Sequence, residues 1–153
     1  MLEPDLADIL GKANRLLFIG VGNVLKSDDG VGVIISRQIL ETDHHSALTV
    51  EVSIENYIGK INSLDPQAIM ILDCMEMGSP PGSCRLFTLD HVEDITFNTH
   101  NISLARLGEF FNYPTSILGI QPQSTEFGEK LSPPVQKTAE RIIRQINQKN
   151  NIP

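Results

Sequence analysis

Asp29, Asp73 and His100 are side chains of the kind that hold a divalent metal. Asp29 lies in a glycine-rich turn after an apolar run, Asp73 closes a second apolar run, and His100 precedes a helical stretch. Two carboxylates and one imidazole make a borderline-hard, incomplete coordination set. Such a set takes Ni, Zn or Mn and leaves positions open for water or a substrate atom. Each residue also has a plainer explanation. An aspartate in a first helical turn usually caps the helix or answers its dipole. Asp28 takes that reading here, and spacing alone would extend it to Asp29. A single histidine is more often a hydrogen-bonded structural group than a ligand. Asp73 is harder to dismiss, because active sites of parallel sheets lie beyond the carboxyl ends of the strands.

The turn itself, GVGNVLKSDDGVG from Gly20 to Gly32, invites a nucleotide reading. A dinucleotide fingerprint needs glycines at three fixed positions. Gly20 and Gly22 supply two, and Leu25 occupies the third. The Asp28–Asp29 pair would also repel a phosphate at the following helix start. Other catalytic patterns fail too: there is no GxSxG elbow, no HExxH and no P-loop. Cys74 follows Asp73 directly and is a conceivable nucleophile, but its apolar flank and the lack of a nearby basic residue argue against a lowered thiol pKa. His44 and His45 fall in a polar turn, and His91 lies near Glu93 and Asp94, so these read as solvated surface. Asn23 either orients the loop or a substrate backbone, or makes a local Asx turn.

The elements that must position these residues alternate along the chain. Strands are expected at 16–20, 47–53, 67–73, 84–88 and 115–120. Helices are expected at 31–40, 55–64, 101–111 and 132–146. In the last helix Ser132 is a good N-cap and Pro133 suits the first position, while Val135, Ala139, Ile142, Ile143 and Ile146 form one stripe. Strands apolar throughout and separated by helices predict a single-domain α/β three-layer sandwich, a mostly parallel twisted sheet with helices on both faces. The site is then expected beyond the strand ends, at 20–29, 73–76, His100 and Gln121 onward.

With 153 residues, 41% of them hydrophobic and 20% charged, the chain reads as one domain. Residues 1–14 are taken as an N-terminal extension and 149–153 as a frayed tail. A formal charge of −7 argues against a nucleic-acid or anionic-membrane surface. No apolar run is long enough to span a bilayer, and the acidic start MLEPDLADILGK lacks a signal peptide's basic region, so a cytoplasmic location is expected. Two cysteines without CxxC spacing, Cys74 and Cys84, read as reduced thiols.

Four stretches in order, LLFIGVGNVLKSDDGVGV, IMILDCMEMGSPPG, NTHNISLARL and ILGIQPQSTEFGEKLSPPVQKTAE, resemble the hydrogenase maturation endopeptidases, most closely the hydrogenase 3 (formate hydrogenlyase) processing type. The resemblance runs from Arg15 onward. It implies an endopeptidase that clips a C-terminal extension from the large-subunit precursor of a [NiFe]-hydrogenase after nickel insertion. It assigns recognition of nickel carried by that precursor to Asp29, Asp73 and His100, with Zn or Cd able to stand in for nickel in vitro. It also suggests Asn23, Glu55 and Asn56 as substrate contacts, and a monomer in transient contact with its large partner. One departure stands out. Where relatives carry a glycine-rich, acidic stretch after the second strand, this chain reads VEVSIENYIGKI, from Val50 to Ile61. That loop is where a different choice of hydrogenase would be written. It also keeps a second reading open, a non-proteolytic nickel-binding or assembly protein on the same scaffold.

Overall fold

The computed structural model describes residues 4–12, 14–88, 98–99, 102–103 and 113–150. Its elements are α1 (Pro4–Lys12), β1 (Leu16–Val21), α2 (Val31–Arg37), β2 (His45–Glu51), α3 (Ile58–Leu64), β3 (Ala68–Cys74), β4 (Cys84–Thr88), β5 (Asn98–Thr99), β6 (Ile102–Ser103), β7 (Thr115–Ile120) and α4 (Pro133–Asn150). Short 3₁₀ turns, Ser27–Gly30 and Ile54–Tyr57, lead into α2 and α3.

Five strands form one sheet in the order β2-β1-β3-β7-β4. All pairings are parallel except β4 on β7, an antiparallel edge of the kind such sheets often carry. From β1 the chain crosses to β2 on one side, then returns to place β3 on the other. Adjacent β1 and β3 are therefore the point where the winding reverses, and crevices in open α/β sheets form there.

Residues alternate between two cores because successive side chains of a strand point to opposite faces. Leu16 and Phe18 join Met70, Leu72, Leu118 and Ile120 on one face, under Val31 and Ile35 of α2 and Val135, Ala139, Ile142 and Ile146 of α4. Leu17, Ile19 and Val21 join Ile69, Ile71 and Ile117 on the other, with Ile61 of α3. With apolar residues buried on both sides, these strands read as continuous hydrophobic runs, and the expected three-layer architecture is the one observed.

Several expectations change in detail. The N-terminal extension contains α1, whose Leu6 and Leu10, one turn apart, are buried in the first core. Helix α2 ends at Arg37, not at residue 40. The helix expected at 55–64 opens as a 3₁₀ turn. Ile102–Ser103, expected at the start of a helix over 101–111, pair antiparallel with Asn98–Thr99, and the rest of that segment lies outside the described residues, as do residues 151–153 of the tail. Lys149 and Asn150, expected to fray, belong to α4. His45 is a correction of environment. It opens β2, is buried, and meets the Phe18 ring edge-on at 5.7 Å between centroids.

The entry of α2 is set by Gly32. A Cβ there would collide with the Leu72 and Val21 carbonyl oxygens, so the helix start lies directly on the ends of β1 and β3. In an exposed helix, Gly→Ala usually stabilises by about 0.5–1 kcal/mol. Here Gly32→Ala is expected to destabilise instead, by about 1–3 kcal/mol, because backbone atoms cannot give way as side chains do. Urea denaturation of the variant reads the sign directly.

Candidate active site

The connection after β1 begins with Gly22, whose N–H donates to the Glu51 carbonyl at 2.9 Å. Its φ of +147° lies in a region that L side chains rarely adopt, and a Cβ would strike the Asp29 carbonyl. The chain can therefore fold back closely enough for the Asn23 N–H to donate to Asp29 Oδ2 at 3.0 Å. The Asn23 side chain accepts from the Leu25 N–H at 2.9 Å, so the Asx turn is present. The same residue orients the loop through its backbone N–H.

Asp28 and Asp29 are neighbours with different roles. Asp28 is fully buried and makes no helix cap. Its Oδ2 accepts from the N–H groups of Gln123 (2.8 Å) and Ser124 (3.1 Å) and from the Ser132 hydroxyl (2.8 Å), and its Oδ1 accepts from the Ser132 N–H (2.7 Å). The expected cap is thus a staple between the turn after β1 and the connection from β7 to α4. Ser132, expected as an N-cap, gives its hydroxyl hydrogen to Asp28. Further backbone bonds close the seam: Ser27 N–H to the Gly128 carbonyl (2.7 Å), Gly128 N–H to the Leu25 carbonyl (3.0 Å) and Asp28 N–H to the Ser124 carbonyl (3.1 Å). Asp29 is half-buried above this seam.

Asp73 is buried at the end of β3, and its Oδ1 accepts from the Cys74 N–H at 2.8 Å. The loop that follows is held by Gln121, a residue given a location but no role by the sequence. Its Oε1 accepts from the N–H groups of Met77 (2.6 Å) and Ser79 (3.3 Å), and its Nε2 donates to Glu76 Oε1 (2.9 Å). Burial foremost, then the charges of Asp73, Asp29, Asp28 and Glu76, push the Cys74 thiol far above its usual range. These four carboxylates are the charges that bear on the thiol at the end of β3. Cys74 and Cys84 are thiols and not a disulfide.

Asp73 lies in β3 next to its carboxyl end, and Asp29 lies on the 3₁₀ turn between β1 and α2, its carbonyl against Gly22. His100 lies outside the described residues, as does His91. Among the described residues, no three His, Cys, Asp or Glu side chains are grouped so as to hold a metal. Glu55 and Asn56 are exposed on the 3₁₀ turn after β2. Nearer the loop, a cavity of about 320 Å³ is lined by Gly22, Asn23, Val24, Leu25, Glu51 and Val52. The missed residues, Asp28 in its true role, Gln121 and Val52, leave little local signal. Asp28's partners lie 95 to 104 positions away in sequence.

A doubly wound sheet carrying Asp73 in β3 and Asp29 on the turn after β1, with no phosphate-binding fingerprint, sets acidic groups near the switch point of an α/β sandwich. Comparison with known proteins makes this specific. The HycI family of hydrogenase maturation proteases matches residues 51–149, and the chain belongs to that family. The hydrogenase 3 maturation protease of Escherichia coli K12 is 26% identical over 132 residues, covering 82% of this chain and 85% of that protein. The crystal structure of the [NiFe] hydrogenase maturation protease HycI from Thermococcus kodakarensis superposes with a TM-score of 0.83 at 24% identity, covering 95% of this chain and 97% of that one. A crystal structure of a hydrogenase 3 maturation protease gives a TM-score of 0.71 at 25% identity, covering 85% and 87%. The chain is an endopeptidase of hydrogenase maturation.

Two outcomes follow from the geometry. Asp28→Ala would strand three part-buried N–H donors and the Ser132 hydroxyl and is expected to lower stability by about 2–3 kcal/mol, read by urea denaturation. Cys74, held as a neutral thiol, is expected to remain largely unalkylated by iodoacetamide at pH 8 in the folded protein and to react on unfolding, as followed by intact mass.

Proposed function

We propose that this endopeptidase removes the C-terminal extension from the large-subunit precursor of a [NiFe]-hydrogenase, and does so only after nickel has been inserted. The feature that supports the reading is a pair of aspartates on neighbouring stretches of the sheet's carboxyl edge, Asp73 in β3 and Asp29 on the turn that follows β1. His100 completes the ligand set in this reading.

The chemistry of the donors fits a borderline divalent ion. Two carboxylates and an imidazole are offered, beside a Cys74 thiol that burial and the neighbouring carboxylates push above its usual range. Nickel is cargo under inspection and arrives with the precursor. When bound, the ion supplies Lewis-acid polarisation of a water or of the scissile carbonyl. The chain's own residues do the rest. The Asn23 N–H fixes one oxygen of Asp29, so that the carboxylate is oriented before substrate arrives. An aspartate at the rim accepts a proton from the attacking water and returns it to the leaving amine. Gln121 and Asp28 hold the two flanking loops in place.

No helix among the described residues is long and apolar enough to cross a membrane. The enzyme works as a monomer in the cytoplasm, where it meets the precursor transiently.

The test pairs nickel binding with processing. Asp29→Asn, Asp73→Asn and His100→Ala are each expected to lose at least about a hundredfold in processing rate while unfolding normally. Processing at the wild-type rate in His100→Ala and Asp29→Asn would remove the ligand assignment. Wild-type nickel binding by a chain that cuts no precursor would favour the assembly-protein reading.

A further inference from the structure

Folding leaves several large apolar side chains in water beside the carboxylates. Leu25 is 53% exposed, Val52 42% and Phe127 88%. Leu25 and Val52 line the same cavity, whose floor is formed by Gly22 and Asn23. Phe127 stands on the segment hydrogen-bonded alongside Leu25, through the Gly128 N–H and the Leu25 carbonyl. The backbones carrying Leu25 and Phe127 are pinned by that seam and by the Asp28 carboxylate. Rigidly presented apolar side chains lose little freedom on docking, which is how interface anchors gain affinity.

We infer that this groove docks an apolar, extended segment of the hydrogenase precursor next to the bond to be cut. Leu25 and Val52 grip a side chain of that segment, and Phe127 packs against it from the rim. The inference rests on the reading of this chain as the precursor's endopeptidase. Three features select the occupant. The groove is continuous with the catalytic rim, because its lining residue Asn23 also holds Asp29 at 3.0 Å. Its one charged wall residue, Glu51, is already ion-paired with Arg37 at 3.3 Å, so an apolar guest meets a partly neutralised wall. The apolar rim is narrow, three separated side chains flanking a cavity of about 320 Å³, a shape that fits an extended segment inserted along it.

The test uses the full chain and the nickel-loaded large-subunit precursor of the same organism. Leu25→Asp, Val52→Asp and Phe127→Asp all lie at solvent-exposed positions. Each is expected to raise both the Kd for the precursor and KM at least tenfold, with the loss falling on KM and not kcat, and Phe127→Leu is expected to recover most of it. Unchanged Kd and KM in all three variants would overturn the groove and leave the endopeptidase reading standing. Weakened binding in the variants of a chain that cuts nothing would support the groove and sink the endopeptidase reading. A wild type that neither binds nor cuts overturns both. A concentration-dependent dimer abolished by the same substitutions would assign the groove to a second copy and overturn the inference.

Discussion

The arrangement of this site depends on one buried carboxylate. Asp28 collects hydrogen bonds from Gln123, Ser124 and Ser132 and so draws the connection between β7 and α4 onto the turn after β1. An unpartnered carboxylate in that position would be costly to bury. With its oxygens satisfied by N–H groups and a hydroxyl, it becomes the point at which two distant loops are fixed to one another. Asp29, the next residue, inherits that rigidity. Its carboxylate is half-buried and held by Asn23, at the place where β1 and β3 lie side by side. Adjacent aspartates thus divide the work, one holding the scaffold and the other facing the crevice.

The sheet supplies the second half of the site. Parallel neighbours β1 and β3 deliver their carboxyl ends to the same edge, which carries Asp73 directly and Asp29 on the turn that follows β1. Gly32 allows α2 to begin on top of those ends, and Gln121 organises the chain after Asp73. The crowding of carboxylates has a chemical consequence at Cys74, whose thiol is held neutral. A chain with a cysteine at the centre of its site therefore need not use it. The carboxylates around it are the groups on which the proposed reading rests, in a chain of the family that matures hydrogenases.

Much of this was legible in the sequence because buried parallel strands announce themselves as apolar runs. β4 and β7 have the boundaries expected for them, and β1, β3 and α4 differ only at their ends. Asp73 was legible because it closes such a run, whereas Asp29, by spacing alone, read no better than a helix cap. What could not be read was non-local. Asp28 looked like a cap because its true partners are a hundred residues on, and no local pattern encodes them. His45 looked solvated beside His44, yet the edge of the Phe18 ring and the start of β2 bury it. The α1 helix was passed over because its two leucines become core only once α4 is in place. His100 stood out with Asp29 and Asp73 by its place before an expected helix and was joined to them as a ligand set by the family resemblance, and it lies outside the described residues.

The central claim is that cleavage waits on nickel. Its most direct test is the intact mass of the large-subunit precursor from the same organism, prepared with and without nickel and incubated with this protein. The account predicts loss of a C-terminal peptide from the nickel-loaded form alone. Equal cleavage of both forms, or cleavage of the nickel-free form only, would contradict it.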